Sequence, residues 1–367
     1  MRLLRAIAAG VTAARLLRMD LTPAPGPSSE PKIHRRRPRY RGKNPRRFEE
    51  KYKERDAARY GDTVAKVLAA GKTPAGSHRP IMVAEILDVL APQPGDIAVD
   101  CTLGFGGHAQ EILPRLLPGG RLLGLDADPI ELPKTEARLR SLGFGSDVFT
   151  AHRSNFAGLS KVLASAGLSG ADIVLADLGV SSMQLDDPAR GFSLKEEGPV
   201  DMRMNPLRGE PVSALLQKTS VDKLATLLAD NADEPFAKAI AAAIAGRTFR
   251  STIALAAAIR AAVPRAKEEE CELSVRRVFQ ALRIAVNDEF AALDQFLRFL
   301  PDSLNPGGRV AILTFHSGED RRVKKAFAAG LRAGHYSTIA EDVIRASPAE
   351  RYANPRSTSA KLRWARR

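Results

Sequence analysis

An alternation of short apolar segments with amphipathic segments, from Ser77 to Asp187, constrains the fold more than any other feature of this sequence. The apolar segments have strand length and end at Gly or polar residues, and helical periodicity separates them. Strands are predicted over 96–102, 121–125, 148–151 and 173–178, and helices over 81–90 and 108–117. Such repeats are typical of an α/β protein with a parallel, doubly wound sheet, in which ligands bind at the carboxyl ends of the strands.

The alternation stops after Asp187 and resumes near position 281. The residues between are rich in Ala and Leu at helical spacing, and no segment there has a strand pattern. Helices are predicted over 221–229, 235–245 and 252–263. Beyond them we expect a helix over 278–300, a strand over 309–315 and a final edge strand over 360–365. The sequence thus predicts one α/β domain, residues 76–189 and 281–367, with an inserted helical subdomain at 190–280.

Composition excludes several classes of protein. Hydrophobic residues make up 44% of the 367 residues, which suffices for a core and excludes global disorder. No apolar run reaches the roughly 18–20 residues that span a bilayer, so we expect no membrane segment. The two cysteines, Cys101 and Cys271, form no CxxC pair, which argues against a disulfide scaffold and a cysteine-rich zinc site. We therefore expect a reducing compartment and no bound metal.

Positive charge is concentrated near the beginning of the chain. The formal net charge is +14, and residues 1–75 hold 19 Lys and Arg against 7 Asp and Glu, a net of +12. Nine of these basic residues lie in 32–47, which contains no acid. We expect residues 1–75 to form a basic, flexible extension, either an arm that binds RNA phosphates or a solvated tail without a specific role.

The first 18 residues are amphipathic, contain Arg and lack acid, which resembles an organellar transit peptide, although they are poor in Ser. Met19 offers a second start. We favour Met19 as the natural start, with organellar targeting by residues 1–18 as the alternative.

A glycine-rich turn, DCTLGFGGH from Asp100 to His108, joins the first predicted strand to the following helix. Gly104, Gly106 and Gly107 allow a tight turn and a close approach of the backbone to a ligand. The turn contains neither GxGxxG nor GK[ST], so it fits neither a dinucleotide fingerprint nor a phosphate loop. It favours a nucleoside-type cofactor such as S-adenosylmethionine, the alternative being a plain tight turn. His108 either contacts the ligand or caps the helix.

Acidic and hydroxyl side chains follow other predicted strands. Asp126 ends the second strand, 20 residues after Gly106, where an acid can accept both ribose hydroxyls of a nucleotide; Asp128, before Pro129, is more typical of a helix N-cap. The segment ADLGVSSMQLDD, 176–187, is either a polar wall beside a cofactor or a capped loop. In TFHSGEDRRVKK, 314–325, His316 follows the last parallel strand, and residues 319–322 are expected to begin an exposed helix.

Seven segments together resemble a known family. They are, in order, HRPIMVAEIL, DCTLGFGGH, ADLGVSSMQLDD, GPVDMRM, VFQALRIAVNDEF, LTFHSGEDR and NPRSTSAKLR. They closely resemble the MraW/RsmH family of S-adenosylmethionine-dependent methyltransferases over about residues 77–367. The resemblance implies a Rossmann-like class I methyltransferase fold and N4-methylation of a cytidine in the decoding region of 16S rRNA, within the small ribosomal subunit. It also implies a bacterial, cytoplasmic protein, and it leaves a homodimer open.

The resemblance also implies, motif by motif, which residues bind the cofactor. They are Gly106, Gly107, His108, Asp126, Phe156, Asp177 and Gln184. The sequence departs from the family at Cys101 for Gly, Val278 for Thr, Gly318 for Leu, and Ser357-Thr358 for Arg-Ala. None of these departures removes an implied cofactor residue, but the last removes a positive charge. The extension 1–75 lies outside the resemblance.

The implied reaction indicates how catalysis works. Cytosine N4 is a weak nucleophile and the sulfonium methyl a strong electrophile, so we expect catalysis mainly by positioning in a dry, polar pocket that receives an unstacked base. One amine proton needs an acceptor. The candidate catalytic residues are Asp177, Ser181, Ser182 and, less favoured, His316. Two other functions stay open, a methyltransferase for DNA or protein and an RNA-binding assembly factor without turnover, although the intact motifs argue against the second.

Overall fold

A computed structural model describes residues 80–263 and 267–367. The strands of the described part are β1 Ile97–Asp100, β2 Arg121–Asp126, β3 Phe149–Arg153, β4 Ala171–Asp177, β5 Leu304–Thr314, β6 Thr338–Ile339 and β7 Lys361–Arg366. They form one sheet in the order β3-β2-β1-β4-β5-β7-β6. The first five run parallel, and β7 is antiparallel to both β5 and β6.

Helices of the described part connect these strands. They are α1 Val83–Leu90, α2 Gly107–Leu116, α3 Leu132–Ser141, α4 Leu159–Ser165, α5 Ser182–Asp186, α6 Val212–Lys218, α7 Val221–Ala232, α8 Ala237–Ile244, α9 Thr252–Ala262, α10 Glu268–Val286, α11 Glu289–Phe299, α12 Ser317–Arg332 and α13 Pro348–Ala353. None of them combines the length and the apolar character that crossing a membrane requires.

The parallel strands are apolar because helices cover both faces of the sheet. Alternate residues of neighbouring strands pack into different cores. Val99, Val174 and Val310 belong to the core beneath α4, α11 and α12. Ala98 and Ile173 belong to the opposite core, beneath α1 to α3. This two-sided arrangement confirms the prediction of a doubly wound, Rossmann-like methyltransferase sheet.

Helices α6 to α10 lie between β4 and β5 in the chain and pack around a third core of their own. Leu216, Leu228, Ile240 and Ile259 are fully buried in it. An inserted helical region is therefore part of the fold. The exact boundaries of the predicted domains, at 189/190 and 280/281, stay predictions, and the boundary at 75/76 lies outside the described residues.

Two details of the sequence prediction are wrong. The helix expected over 278–300 is two helices, α10 and α11, because Asp288 has a left-handed backbone (φ +50°) and the side chain of Asn287 bonds to a distant loop. The strand near the C-terminus exists as β7, but it lies between β5 and β6 rather than at the edge. The edge is the two-residue strand β6, which is too short to give a sequence pattern.

Candidate active site

A cavity of about 1110 Å³ lies beside the carboxyl ends of β1, β2 and β4. The connection after β1 leads to β2 on one side of this point, and the connection after the neighbouring strand β4 leads to β5 on the other side. Doubly wound proteins bind nucleotide ligands at such a position. The cavity also receives residues from α10 and α11, among them Arg283 and Phe290, so its wall includes the sheet, the last helix of the inserted region and the helix after it.

Each of the three strands at the cavity ends in aspartate. These strand-end aspartates are Asp100 of β1, Asp126 of β2 and Asp177 of β4. Burial raises the pKa of Asp100 to about 6, that of Asp126 to about 6 and that of Asp177 to about 7. Asp126 and Asp177 line the cavity. A site with three carboxyls of raised pKa favours a ligand that carries positive charge, because the ligand would compensate the buried negative charges.

The glycine-rich turn places backbone against Asp126. Gly104 has φ +49° and its N–H donates to Asp126 Oδ2 over 2.8 Å, while the N–H of Asp128 donates to Asp126 Oδ1 over 2.8 Å. Each oxygen keeps a further lone pair that can accept a hydroxyl. Gly107 lines the cavity, and a Cβ there would lie 3.1 Å from Pro80 Cγ.

Gly106 lies at the N-terminus of α2 with φ +74°, and it is absent from the cavity lining. A Cβ at this position would lie 3.0 Å from Thr135 Cγ2 and 3.1 Å from Arg138 Nη2. The structure thus gives Gly106 a role in the turn and in packing, and it places Gly104, the first of the three glycines of the turn, on the cavity.

Asp177 has the least satisfied carboxyl of the cavity. Its Oδ1 is buried and has no hydrogen-bond partner among the described residues. Its Oδ2 lies 3.7 Å from His108 Nδ1. Burial is the main cause of the raised pKa, and the charge of Glu319 adds to it. A carboxyl group with a free oxygen and a pKa near neutrality can accept a proton at physiological pH.

His108 is buried and bonds through Nε2 to the carbonyl oxygen of Ile81 over 2.9 Å. A carbonyl only accepts, so Nε2 carries the hydrogen, and the lone pair of Nδ1 then faces Asp177 when the ring is neutral. Burial lowers the pKa of His108, which favours the neutral ring. His108 therefore lines the cavity rather than capping α2, and its Nδ1 can accept from the Asp177 carboxyl only when that carboxyl is protonated.

The segment after β4 forms a capping box at the start of α5. Ser181 Oγ accepts from Gln184 N over 3.2 Å, and Ser181 N donates to Gln184 Oε1 over 3.0 Å. Gln184 Nε2 donates to Asp128 Oδ2 over 2.8 Å. Ser181 and Gln184 line the cavity, yet their polar atoms already have partners in the protein. Ser182 is the first residue of α5.

Phe156 and His316 line other parts of the cavity. Phe156 packs edge-on against Phe296, with ring centroids 5.6 Å apart. His316 precedes α12, where Nδ1 accepts from Glu319 N over 3.4 Å and Nε2 lies 3.2 Å from Glu319 Oε1. Glu319 thus bonds to Nδ1 alone, and Nε2 is buried without a hydrogen-bond partner among the described residues, so His316 stays a candidate base beside Asp177. Glu319 itself is buried, so it does not begin an exposed helix as expected from the sequence.

A buried group that the sequence analysis missed lies behind the cavity. Arg190 Nη1 bonds to Asp128 Oδ2 over 2.7 Å, and Arg190 Nη2 donates to the carbonyls of Arg203 and Met204 over 3.1 and 2.8 Å. We call Asp128, Gln184 and Arg190 the Arg190 brace. Burial alone would raise the pKa of Asp128, but hydrogen bonds from Arg190 and Gln184 outweigh it and hold that pKa below its usual value.

The fold and the cavity define a class of protein, the S-adenosylmethionine-dependent methyltransferases. Comparison with known sequences identifies the family within that class. The profile of the MraW methylase family matches residues 75–367. This chain therefore belongs to the MraW methylase family, as its motifs indicated.

Individual relatives are similar over most of their length. A protein of Lachnoclostridium phytofermentans named ribosomal RNA small subunit methyltransferase H 1 is 47% identical over 354 residues, which cover 94% of this chain and 96% of that protein. Ribosomal RNA small subunit methyltransferase H 2 of Alkaliphilus metalliredigens is 49% identical, with coverages of 90% and 97%. Ribosomal RNA small subunit methyltransferase H of Heliobacterium modesticaldum is 41% identical, with coverages of 78% and 97%.

The family profile bears out the expected beginning of the family resemblance near residue 77, but one relative aligns further toward the N-terminus. Since 94% of 367 residues is about 345 and the family profile covers 293 residues, at least about 50 residues before position 75 align with the Lachnoclostridium protein. The alignment with the Heliobacterium protein covers 78% of this chain, which is no longer than the part that the family profile matches. Part of the basic extension is thus shared with some relatives.

Proposed function

We propose that this chain transfers a methyl group from S-adenosylmethionine to N4 of a cytidine in the decoding region of 16S rRNA, within the small ribosomal subunit. The observation that carries the proposal is the Asp177 carboxyl, with a pKa raised to about 7, in a cavity at the switch point of a methyltransferase sheet. Family membership and the names of the relatives agree with it. A bacterial cytoplasmic location follows from the proposed substrate, and a homodimer stays a prediction for sedimentation analysis.

The residues at the cavity fit this cofactor. Asp126 offers both carboxylate oxygens to ribose hydroxyls, Gly104 and Gly107 leave the backbone accessible, and Phe156 supplies an aromatic wall. The strand-end aspartates favour a cation, and the sulfonium of this cofactor is one. When bound, the cofactor supplies an electrophilic methyl group. Gly106 and Gln184 support this site through the turn and the Arg190 brace.

Asp177 is the proposed proton acceptor. In the transfer, N4 of cytosine forms a bond to the methyl carbon, the bond from that carbon to sulfur breaks, and one N4 proton must leave. The carboxylate of Asp177, which lines the cavity, accepts that proton, and the Nδ1 lone pair of neutral His108, 3.7 Å from Oδ2, favours the protonated form. Ser181 and Glu319-bound His316 form parts of the polar wall around the amine. No cysteine nucleophile is involved, because attack by N4 needs none.

Methylation of isolated small subunits tests the function directly. Subunits that lack the modification are incubated with the full chain and methyl-labelled cofactor, and the modified nucleoside is mapped in the rRNA by mass spectrometry. We expect one N4-methylcytidine in the decoding region. Label that enters DNA or protein instead, or a different nucleoside, would contradict the proposed substrate.

The basic extension is proposed to be an arm that binds RNA phosphates. It lies outside the described residues, so the proposal rests on its charge of +12 and on its partial presence in relatives. Removing residues 19–75 should weaken binding to small subunits and flatten the plot of log K against log salt by several units, because fewer counterions are released. Filter binding at several salt concentrations measures the slope, and an unchanged slope would show that the extension is a passive tail.

A further inference from the structure

Two apolar side chains of the described part are far more exposed than the rest. Leu207 is 76% exposed and Tyr352 is 89% exposed, whereas the other exposed large hydrophobic residues range from 38% to 44%. Single exposed apolar residues are normal on protein surfaces, so exposure alone indicates nothing. These two, however, share a location, because each belongs to a segment that lines the cavity.

Leu207 belongs to a loop that we call the rim loop, residues 202–209. Five of its residues line the cavity, namely Met204, Asn205, Leu207, Arg208 and Gly209. Side chains fix the loop from several directions. Asn287 bonds to the carbonyl of Met202 over 2.8 Å and to the N–H of Met204 over 2.7 Å, and Arg190 holds the next two carbonyls.

The rim loop is held in a costly conformation. Met202 has φ +63°, which a non-glycine residue adopts only when its surroundings enforce it. Within the loop, Arg203 Nη1 donates to Gly209 O over 3.0 Å and Leu207 N donates to Asn205 Oδ1 over 3.0 Å. A well-fixed loop that points a large aliphatic side chain into solvent is pre-organised for contact with another molecule.

The helix that carries Tyr352 is also anchored to the protein by a hydrogen bond. It lies in α13, and Glu350 of the same helix accepts a hydrogen bond from the N–H of buried Met82 over 2.7 Å. The residues that follow, Asn354, Arg356 and Ser359, line the cavity. The ring of Tyr352 therefore projects from an anchored segment at the cavity wall.

Exposed arginines lie next to both residues in the chain, and acids lie in the same segments, Glu210 after the rim loop and Glu350 in α13. Arg208 follows Leu207, Arg351 precedes Tyr352, and Arg153 lies at the cavity, all with exposed side chains. None of the three forms an ion pair with another described residue. An apolar or aromatic side chain next to arginines, at the mouth of a pocket, fits the bases and phosphates of unstacked RNA better than it fits an apolar protein interface.

We propose that Leu207 and Tyr352 contact the RNA on either side of the target cytidine. The ring of Tyr352 stacks on a neighbouring base, and Leu207 fills the space that the cytidine vacates when it leaves the stack and enters the cavity. The arginines contact the adjacent phosphates. This inference rests on the proposed RNA substrate and extends it to two residues outside the cofactor site.

Kinetics on small subunits that lack the methylation test the inference with Tyr352→Ala and Leu207→Ala. We expect Tyr352→Ala to raise KM for the subunits about tenfold, and Tyr352→Phe, which keeps the ring, to recover most of the loss. Leu207→Ala should lower the single-turnover rate about tenfold, because the extruded base is less stabilised. Cofactor affinity, measured by calorimetry, should stay within twofold in all variants. Leu273→Ala serves as a matched control, since Leu273 is 43% exposed and absent from the cavity lining.

The outcomes separate this inference from the proposed function. If the wild type methylates small subunits while both alanine variants match it within twofold, the contact surface is wrong and the function stands. If the wild type methylates no RNA, the proposed function fails and this inference fails with it. A change of oligomeric state in either variant, seen by sedimentation, would assign the two residues to an interface between copies of the chain and overturn their assignment to RNA.

Discussion

Asp126, one of the strand-end aspartates, and Asp128 of the Arg190 brace lie two positions apart in the chain, yet the environments of their carboxyl groups are opposite. Asp126 and Asp177 form no ion pair with a lysine or arginine of residues 80–263 and 267–367, and burial raises the pKa of each. Asp128 is paired with Arg190 and Gln184, which lower its pKa. The difference shows that the carboxyls have two roles. Asp126 and Asp177, which lack a cation, are available to a ligand or a proton, whereas Asp128, paired with Arg190, holds two segments together.

The strongest test of this division is Asp177→Asn. The amide keeps the shape of the carboxyl but cannot take the amine proton, so the single-turnover rate on small subunits should fall by about 10²–10⁴-fold. Because Asp177 is also one of the strand-end aspartates that favour a cationic cofactor, the rate is measured at saturating cofactor. Asp294→Asn, at an exposed ion pair with Arg322, controls for loss of a charge. An Asn variant that keeps the full rate would remove Asp177 from the mechanism.

We expect a substitution in the Arg190 brace to lower the free energy of unfolding rather than the rate of methyl transfer. Arg190→Gln leaves Asp128 buried at 1% exposure without its cation, and breaking such a pair costs about 3–5 kcal/mol of unfolding free energy. Urea denaturation measures the loss. The matched control is Arg260→Gln, whose partner Glu272 is 39% exposed, and that pair should be worth at most about 1 kcal/mol. Equal losses in the two variants would mean that the brace is no more than a surface ion pair.

The same division explains which parts of the site the sequence predicts. Asp126 and Asp177 follow apolar runs directly, and the ends of parallel strands meet at one edge of a sheet, so their proximity is predictable. The family resemblance added His108 and Phe156, which the structure places on the same cavity. These residues carry a local signal, either a strand end or a motif.

The sequence gives no local signal, neither a strand end nor a motif, for the contacts of the Arg190 brace. Arg190 and Asp128 are 62 positions apart, and both lie in loops, where no periodicity indicates a partner. Gln184 is part of a family motif, but only the three-dimensional contact shows that its amide bonds to Asp128. Likewise, the break between α10 and α11 depends on Asn287 reaching the rim loop, 83 positions away from Met204. Apolar periodicity continues through that break, so pattern reasoning merges the two helices.

A pH profile sharpens the assignment of Asp177. A proton acceptor must be deprotonated, and the pKa of Asp177 is about 7, so kcat/KM should rise with pH and level off above it. Between pH 6 and pH 8 the rise should be about tenfold, from the deprotonated fraction on either side of that pKa. The profile of Asp177→Asn should be flat over this range. An inflection that persists in the variant would belong to another group.

The smallest expected effect compares the two kinds of carboxyl through stability. The folded-state pKa of Asp177 lies above its unfolded value of 3.8, so its stabilising contribution is complete below about pH 4 and is lost as pH rises through 7. Asp177→Asn should therefore gain about 1 kcal/mol over the wild type between pH 4 and pH 8, less than the full shift implies because the side chain is 28% exposed. For Asp128 the sign reverses, because its lowered pKa contributes stability at pH 8 that is lost in acid. The measurement is the change of the urea midpoint from pH 4 to pH 8 in each variant, relative to the same change in the wild type. This difference should have opposite signs in Asp177→Asn and Asp128→Asn. The same sign in both would show that the two carboxyls are not distinguished by their partners.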